Sequence, residues 1–356
     1  MSRFFTSRYK DLVPYTPGEQ PRGRQYVKLN TNESPFPPSP GVLAAVAEEA
    51  GRLQLYSDPD STALIRRLAA RYGTAPEQVI AVNGSDEVLN FAFMAFADES
   101  RPLAFADITY GFYPVFAALN HIPCSVIPLR HDFTLNVNDY TGLGRRTIVI
   151  ANPNAPTGLA LSREETEQIV ASNPDSVVII DEAYVDFGAE SAVPLVKEYP
   201  NLLVTQTFSK SRSMAGARLG FGIGDAELIR DLNTIRYSTN PYNVNRMSCA
   251  AGVAALEEQD YYDANCRTIE ANRAYTTEAL RSLGFKVLDS KANFVFARTD
   301  AIPGGDYYRA LKSRGVLVRH FDKPRISDFV RITIGTREQM DTLLACTKDI
   351  LKEVSA

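Results

Sequence analysis

The chain has few of the residues that build metal sites and disulfide frameworks. Its 356 residues include three histidines, four cysteines and no tryptophan. The cysteines lie far apart in sequence, without the C-x-x-C spacing that is typical of zinc or redox motifs. We therefore expect reduced, buried thiols and no metal centre, and a cytoplasmic location is the simplest explanation of such thiols.

Long hydrophobic runs and a marked excess of charge are also missing. The longest apolar stretches have about half a dozen residues, whereas a membrane-spanning helix needs about 20. The opening segment, MSRFFTSRYKDLVPY, lacks the apolar core of a secretory signal. The net charge is −4, and no basic stripe or tail indicates a nucleic-acid partner. The composition predicts a soluble protein with one large domain and a smaller one.

After an arm rich in proline and glycine, short apolar runs alternate with helical patterns. A first helix begins at Gly41, and a second is expected over Ser61–Tyr72 with Ser61 as its N-cap. The apolar runs are β-branched and apolar on both faces, which predicts a mostly parallel sheet covered by helices. The expected strands are Val79–Val82, Leu103–Ala106, Cys124–Ile127, Thr147–Ala151, Val177–Ile180, Leu202–Thr207 and Leu219–Ile223.

The composition changes near residue 245. One long helical stretch over Val244–Leu283 is followed by shorter strand and helix patterns, which indicate a smaller α+β domain. We expect an N-terminal arm over residues 1–29 that joins this domain, a large domain over 30–245 and a small domain over 246–356. The glycines of GFGIG lack the lysine of a phosphate loop, so we interpret them as strand and turn glycines.

Polar residues follow four of the expected strands, where an α/β sheet binds its ligands. NGSDE opens a helix whose free amides suit a phosphate, and Ser209 and Arg218 offer a hydroxyl and a guanidinium to the same anion. Lys210 lies between them and is a candidate Schiff-base nucleophile. Asp181 of DEAY would stabilise a protonated ring nitrogen, and Tyr184 a ring hydroxyl. Together these residues predict a pyridoxal-phosphate site.

The chain resembles the fold-type-I pyridoxal-phosphate aminotransferases in the order of three motifs. These are NPNAPTG, DEAY and an SK pair in which Arg218 follows eight residues after Lys210. Within these aminotransferases, KLNTNESPFPPSP, TYGFY, FSKSRSMAGARLGFG and VRITIGTREQM resemble the histidinol-phosphate aminotransferase family. The resemblance extends from about Tyr15 to the final helix. It implies an α/β fold, with a large domain built on a mostly parallel sheet and a small α+β domain. It also implies amino transfer from L-histidinol phosphate to 2-oxoglutarate in histidine biosynthesis.

The resemblance assigns roles to single residues. Lys210 would form the Schiff base and move the substrate's proton, Asp181 would pair with the ring nitrogen, and Tyr184 would bond the ring oxygen. Further residues would hold the cofactor: Ser209, Arg218 and the amides of Ser85 and Asp86 at its phosphate, and Tyr110 on its ring face.

The acidic end of the substrate would bind Arg331, helped by Arg319 and by Tyr15 of the arm. Arg331 interrupts the strand-like run FVRITIG. A buried charge at this position needs a partner or a ligand, unless Arg331 faces solvent on an edge strand. Tyr56 would reach the cofactor phosphate of a neighbouring subunit, so the resemblance also implies a homodimer. The other expected partners are the small-molecule amino donor and the 2-oxo acid, and no nucleic-acid or membrane partner is expected.

One position departs from the family pattern. Ala155 stands before Pro156 where the family usually has an asparagine that bonds the ring hydroxyl of the cofactor. Either Asn154 takes over from the adjacent position, or Tyr184 acts alone. Two other cofactor-dependent functions stay open, an aromatic amino-acid aminotransferase and a decarboxylase of a substrate such as threonine phosphate. A catalytically silent regulator is disfavoured because Lys210 is intact and no DNA-binding segment is present.

Overall fold

The computed structural model describes residues 2–20, 23 and 25–355, which form two main β-sheets and a short two-stranded one. The strands of this part of the chain are β1 (Val27–Lys28), β2 (Val79–Val82), β3 (Leu103–Ala106), β4 (Cys124–Ile127), β5 (Thr147–Ala151), β6 (Val178–Asp181), β7 (Leu202–Thr207), β8 (Gly220–Gly224), β9 (Phe285–Val287), β10 (Phe294–Thr299), β11 (Val316–Leu317), β12 (Arg319–His320) and β13 (Val330–Thr333).

Helices cover the sheets and connect the strands. The α-helices of the described residues are α1 (Pro40–Ala50), α2 (Thr62–Tyr72), α3 (Ser85–Phe96), α4 (Phe112–Leu119), α5 (Arg163–Ala171), α6 (Ala226–Thr239), α7 (Arg246–Glu257), α8 (Gln259–Ser282), α9 (Gly304–Ser313) and α10 (Arg337–Ser355). Short 3₁₀ turns, such as Val185–Phe187 and Ala215–Ala217, follow the ends of strands and shape the loops there.

The larger sheet has the strand order β2-β8-β7-β6-β5-β3-β4. Strands β3 to β7 run parallel, and β8 runs antiparallel to both of its neighbours. Side chains of β6 alternate between two cores, with Val178 and Ile180 in one and Ile179 in the other. Burial on both faces explains why these strands are continuously apolar, and the predicted mostly parallel sheet is confirmed.

The glycines of β8 allow α3 to begin directly against the strand. A Cβ atom at Gly220 would lie 2.3 Å from the backbone nitrogen of Ser85, and one at Gly222 would lie 3.1 Å from a methyl group of Ile80. Because the neighbour of Gly220 is backbone, only a residue without a side chain fits there, whereas the contact at Gly222 is with a side chain. The interpretation of GFGIG as strand glycines is therefore confirmed, and its function is to bring the N-terminus of α3 to the sheet.

The smaller sheet is antiparallel, with the order β12-β13-β10-β9, and it has its own core. Strand β1 pairs in parallel with β11, so the chain before α1 joins this C-terminal part. The domain limits at 29/30 and 245/246 stay a prediction. Helix α7, which follows the second limit, packs against α1 and α2, and its residues Ala251 and Ala255 belong to a core of the larger sheet.

Two local expectations were wrong. Ser61 does not cap α2, because its backbone is left-handed and its hydroxyl contacts the Cys249 thiol at 3.4 Å. Asp58 accepts the hydrogen bond from the Thr62 amide instead, at 2.8 Å. The single helix expected over residues 244–283 is two helices, because Glu258 leaves the helical conformation between α7 and α8.

All four cysteines are free thiols. Cys266 is buried, Cys249 and Cys346 are half-buried, and Cys124 lies exposed on the edge strand β4. The expectation that all four are buried was therefore wrong. Within residues 2–20, 23 and 25–355, no helix is both long enough and apolar enough to cross a membrane.

Candidate active site

A cleft opens where β5, β6 and β7 end. These three strands are parallel neighbours, so the residues that follow them meet at one edge of the sheet. The N-terminus of α3 and the loop before β8 close the cleft from the other side. Its walls are formed by Ser85, Asp86, Tyr110, Ala151, Pro153, Ala155, Asp181, Ala183, Tyr184, Thr207, Ser209, Lys210 and Arg218.

Lys210 lies two residues beyond Phe208, which is fully buried and anchors the loop after β7. Backbone hydrogen bonds from Met214 to Phe208 and from Ser213 to Lys210 hold this loop in a tight turn. The Lys210 ammonium lies 5.7 Å from the centre of the Tyr184 ring. A lysine on a fixed turn, half-buried in the cleft, has the position that a covalent anchor requires.

Asp181 is the last residue of β6 and is buried at the base of the cleft. Its carboxylate accepts a hydrogen bond of 2.8 Å from the Tyr113 hydroxyl and one of 3.3 Å from the Ala183 amide. Burial raises the pKa of Asp181 to about 6, and the hydrogen bond from Tyr113 opposes this shift. Among the described residues, no ion pair includes Asp181, so its carboxylate is a buried charge that suits a cationic ligand atom.

The opposite end of the cleft collects groups that bind anions. Gly84, with φ +85°, precedes α3, and the first-turn amides at Ser85 and Asp86 have no partner within the helix. Arg218 lies beside them, and a Cβ atom at Gly84 would be 2.6 Å from its guanidinium. Ser209 is linked to Thr207 through a hydroxyl contact of 2.9 Å.

The Asp86 carboxylate is turned toward two neighbours at this end. It accepts a hydrogen bond of 2.8 Å from the Tyr110 hydroxyl and pairs with Arg218 at 3.4 Å. The negative charge of Asp86 is thereby partly neutralised, and the Tyr110 ring is fixed as a wall of the cleft. An anion here would meet helix amides, a hydroxyl and a guanidinium.

Arg319 and Arg331 lie opposite each other on β12 and β13. Arg331 donates to the Asn30 carbonyl at 3.0 Å, and its buried Nε has no hydrogen-bond partner in the described part of the chain. Arg319 contacts the carbonyls of Thr16 and Pro17 of the arm. Neither guanidinium forms an ion pair within the described residues, so the two cations lack a carboxylate.

Tyr15 connects these arginines with the cleft. Its ring stacks on Phe112 at 4.1 Å and lies 6.5 Å from the ring of Tyr110. Burial raises the pKa of Tyr15, and the charges of Arg331 and Arg319 oppose that shift. The structure therefore brings Tyr15, Arg319 and Arg331 together, next to the wall formed by Tyr110.

Two of the residues expected to bind the cofactor do not line the cleft. Asn154 donates both of its amide hydrogens elsewhere, to the Ile108 carbonyl at 2.9 Å and to the Thr157 hydroxyl at 3.0 Å. Its side chain lines a neighbouring cavity, while Ala155 lines the cleft. Tyr56 is 80% exposed and stacks on Tyr242 at 4.5 Å, away from the cleft of its own chain.

Two polar residues at the cleft were not identified from the sequence. Tyr113 lies three residues after Tyr110 in TYGFY, in the first turn of α4, and its hydroxyl donates to Asp181. Asn32 donates to the Tyr184 hydroxyl at 2.9 Å across 152 residues of sequence, and no local signal indicates that contact.

Comparisons with known proteins agree with this geometry. The family model for aminotransferase class I and II matches residues 24–346. The histidinol-phosphate aminotransferase 1 of Bradyrhizobium diazoefficiens is 50% identical over 99% of this chain and 100% of its own length. The enzyme of Aromatoleum aromaticum is 47% identical over 99% and 100%. A crystal structure of histidinol-phosphate aminotransferase from Sinorhizobium meliloti, in complex with pyridoxal-5′-phosphate, has the same fold, with a TM-score of 0.87 at 23% identity over 99% of this chain and 100% of that one.

Proposed function

The chain belongs to the class I and II aminotransferases and, within them, to the histidinol-phosphate aminotransferases, and on this premise we propose that it transfers the amino group of L-histidinol phosphate to 2-oxoglutarate. The products would be imidazole acetol phosphate and L-glutamate, in a step of histidine biosynthesis. The observation that carries the proposal is the pair Arg319 and Arg331, which lies beside the Lys210 cleft without a carboxylate partner among the described residues.

The cleft fits pyridoxal phosphate at both ends. Asp181 offers a buried carboxylate to a cationic ring nitrogen, and such a cation would favour the charged form of Asp181 against the burial that raises its pKa. The amides of Ser85 and Asp86, with Ser209 and Arg218, would hold the phosphate. When bound, this cofactor supplies an electron sink for the bonds at the substrate's amino-bearing carbon.

Four side chains at the cleft would have separate roles in the reaction. Lys210 would anchor the cofactor covalently and, once displaced by the substrate's amine, carry the proton that leaves the substrate carbon. Asp181 would keep a proton on the ring nitrogen. Tyr184 would donate to the ring oxygen, and Tyr110 would cover the ring face and exclude water. The phenol of Tyr184 would act without Asn154, whose amide is committed elsewhere.

The arginine pair suits both half-reactions. The donor carries a phosphate and the acceptor carries carboxylates, and a guanidinium binds either group with two parallel hydrogen bonds. The orphaned Nε of Arg331 is a donor that such an anion would satisfy. Tyr15, placed between Arg331 and Tyr110, would contribute its hydroxyl to the same anion.

The proposed active unit is a homodimer. Four large apolar side chains on or next to α1 are each more than half exposed, namely Leu43, Leu53, Leu55 and Tyr56. So many exposed apolar side chains are unusual in one small region of a surface. A second copy would cover this region, and Tyr56 would then serve the phosphate of the partner's cofactor. The four free thiols support a cytoplasmic location.

The direct test measures glutamate formed by the purified protein from L-histidinol phosphate and 2-oxoglutarate. The parallel reactions contain phenylalanine or threonine phosphate as the amino substrate, and the latter is also followed by carbon dioxide release. We expect histidinol phosphate to give the highest kcat/KM. Preference for phenylalanine, or carbon dioxide from threonine phosphate without glutamate, would contradict the proposed substrate while leaving the family unchanged.

A further inference from the structure

Asn32 lies in the segment between β1 and α1 and reaches a residue of the cleft. Its side-chain nitrogen donates a hydrogen bond of 2.9 Å to the Tyr184 hydroxyl, and Asn32 is 1% exposed. Tyr184 follows β6 of the larger sheet, whereas the segment of Asn32 is held by the smaller one. The contact therefore joins the two parts of the molecule at the cleft.

Thr333 of β13 fixes which way the Asn32 amide points. The Thr333 hydroxyl accepts the backbone N–H of Asn32 at 3.0 Å and donates its own hydrogen to the side-chain oxygen of Asn32, also at 3.0 Å. With its oxygen engaged by Thr333, the Asn32 amide can present only its NH₂ group to Tyr184. The hydrogen bonds thus run in one direction, from Thr333 through Asn32 to Tyr184.

The hydrogen bond from Asn32 determines where the single hydrogen of the Tyr184 hydroxyl can point. That oxygen accepts from Asn32, so its hydrogen must point elsewhere, and no acceptor for it exists among the described residues. The Tyr184 side chain lines the cleft, and its ring is fixed by edge-on packing against Phe294 at 5.1 Å. A buried donor without a partner is rare in folded proteins, and an acceptor supplied by a ligand would satisfy it.

The backbone around Asn32 supports the same geometry. Asn32 has φ +56°, a left-handed conformation that asparagine, aspartate and glycine adopt most easily. The side chain of Asn293 donates to its carbonyl at 3.0 Å. Two residues earlier, the Asn30 carbonyl accepts from Arg331, so the same short segment contacts the proposed substrate-binding arginine.

We propose that Asn32 is a positioning residue for the reaction, which holds the Tyr184 hydroxyl as a hydrogen-bond donor toward the ring oxygen of the cofactor. The inference rests on the proposed function, in which Tyr184 faces that oxygen. It explains how a cleft with Ala155 and Pro153 on one wall still presents a directed donor. Asn32 acts only through Tyr184 and touches neither cofactor nor substrate.

The test titrates the absorbance of the bound cofactor with pH in the holoenzyme. A hydrogen-bond donor to the ring oxygen stabilises negative charge on that oxygen. The ring oxygen then holds the proton that it shares with the Lys210 nitrogen less tightly, so loss of the donor should raise the pH midpoint of the titration. Tyr184→Phe should raise it by about one pH unit, a tenfold change in the proton equilibrium. Asn32→Gly, which removes the amide and tolerates the positive φ, should give a shift in the same direction.

Asn32→Asp is the more specific variant, because it keeps the size and shape of the side chain but replaces the NH₂ donor with an oxygen acceptor. A carboxylate accepts the Tyr184 hydrogen and turns it away from the cleft, so the midpoint should rise at least as far as in Asn32→Gly. Asn32→Gly should add nothing in a Tyr184→Phe background. Asn293→Ala is the matched control, since it removes a buried amide that donates to the backbone of Asn32 but does not contact Tyr184. Its midpoint should equal that of the wild type.

Three results would overturn the inference. One is a midpoint that Asn32→Gly and Asn32→Asp leave unchanged. Another is an equal shift in Asn293→Ala, which would mean a general structural effect. The third is additive shifts of Asn32→Gly and Tyr184→Phe in the double variant, because Asn32 would then act independently of Tyr184. Failure to turn over histidinol phosphate, with these shifts intact, would refute only the proposed substrate.

Discussion

Tyr113 donates a 2.8 Å hydrogen bond to the carboxylate of Asp181, and both residues are buried at the base of the cleft. This bond lowers the pKa of Asp181, but burial raises it further, to about 6. Without a bound ligand, the carboxylate is therefore a buried charge that is solvated by one phenol and one amide. Its position is favourable for binding a cation and unfavourable for the stability of the protein alone.

Asp181→Asn should stabilise the cofactor-free protein at high pH. The folded pKa, about 6, lies above the ordinary value of 3.8, so folding favours the protonated acid, and the stability of the wild type falls as pH rises between these values. The asparagine variant lacks this loss. Urea unfolding at pH 4 and pH 8 should show that the free energy of unfolding of the variant, relative to that of the wild type, is about 2 kcal/mol higher at pH 8 than at pH 4.

Asp289→Asn, at an exposed carboxylate, is the control and should show no such gain. With cofactor, Asp181→Asn should bind but slow the proton-abstraction step greatly, because an amide cannot hold the ring nitrogen protonated. A single-turnover rate close to that of the wild type would mean that Asp181 has only a structural role.

Lys210→Ala should abolish the borohydride-reducible cofactor adduct and leave the fold intact. Lys210 forms no ion pair in the described part of the chain, so its removal leaves no carboxylate without its partner. Peptide mapping of the reduced protein locates the adduct, and circular dichroism reports the fold. Lys352→Ala, on the exposed face of α10, serves as the control and should keep the adduct. An adduct that maps to any other lysine would refute the assignment.

Arg331→Lys and Arg319→Lys should each weaken the binding of acidic substrates, although the charge is kept. Lysine lacks the planar fork that binds a phosphate or carboxylate through two hydrogen bonds. The expected loss is about 1–3 kcal/mol per contact, measured as the change in kcat/KM for histidinol phosphate. Arg298→Lys is the matched control, because Arg298 lies in the same sheet but already pairs with Asp300 at 2.8 Å. Unchanged kinetics in the double variant would place the anion pocket elsewhere.

A mixture of Tyr56→Ala and Lys210→Ala chains should recover activity when subunits exchange. If Tyr56 serves the partner's site, a mixed dimer holds one site with both defects and one with neither. Up to about half of the sites in that dimer should then show normal cofactor affinity at limiting cofactor. Exchange is confirmed with tagged chains. If confirmed exchange restores no activity, Tyr56 serves the site of its own chain or none.

The sequence by itself determined most of the secondary-structure elements and the order in which the site residues follow the strands. Strands β2, β3, β4, β5 and β7 have the bounds expected from the sequence. For β2, β3 and β5, the reason is that a strand buried on both faces is apolar almost throughout and ends before the first polar residue that follows. Since parallel strands end at a common edge, Asp181 and Lys210 were expected to meet there. These features depend on periodicity and chain direction, which are local properties of the sequence.

The tertiary structure alone decided which partner each polar side chain takes. Asn154 was expected at the cofactor, but a nearby carbonyl and hydroxyl bind its amide, and Asn32 reaches Tyr184 instead. Ser61 was expected as a cap, but it turns to Cys249, which lies 188 residues away in sequence. Such choices depend on rotamers and on contacts between distant segments, which a residue's neighbours in sequence do not determine by themselves.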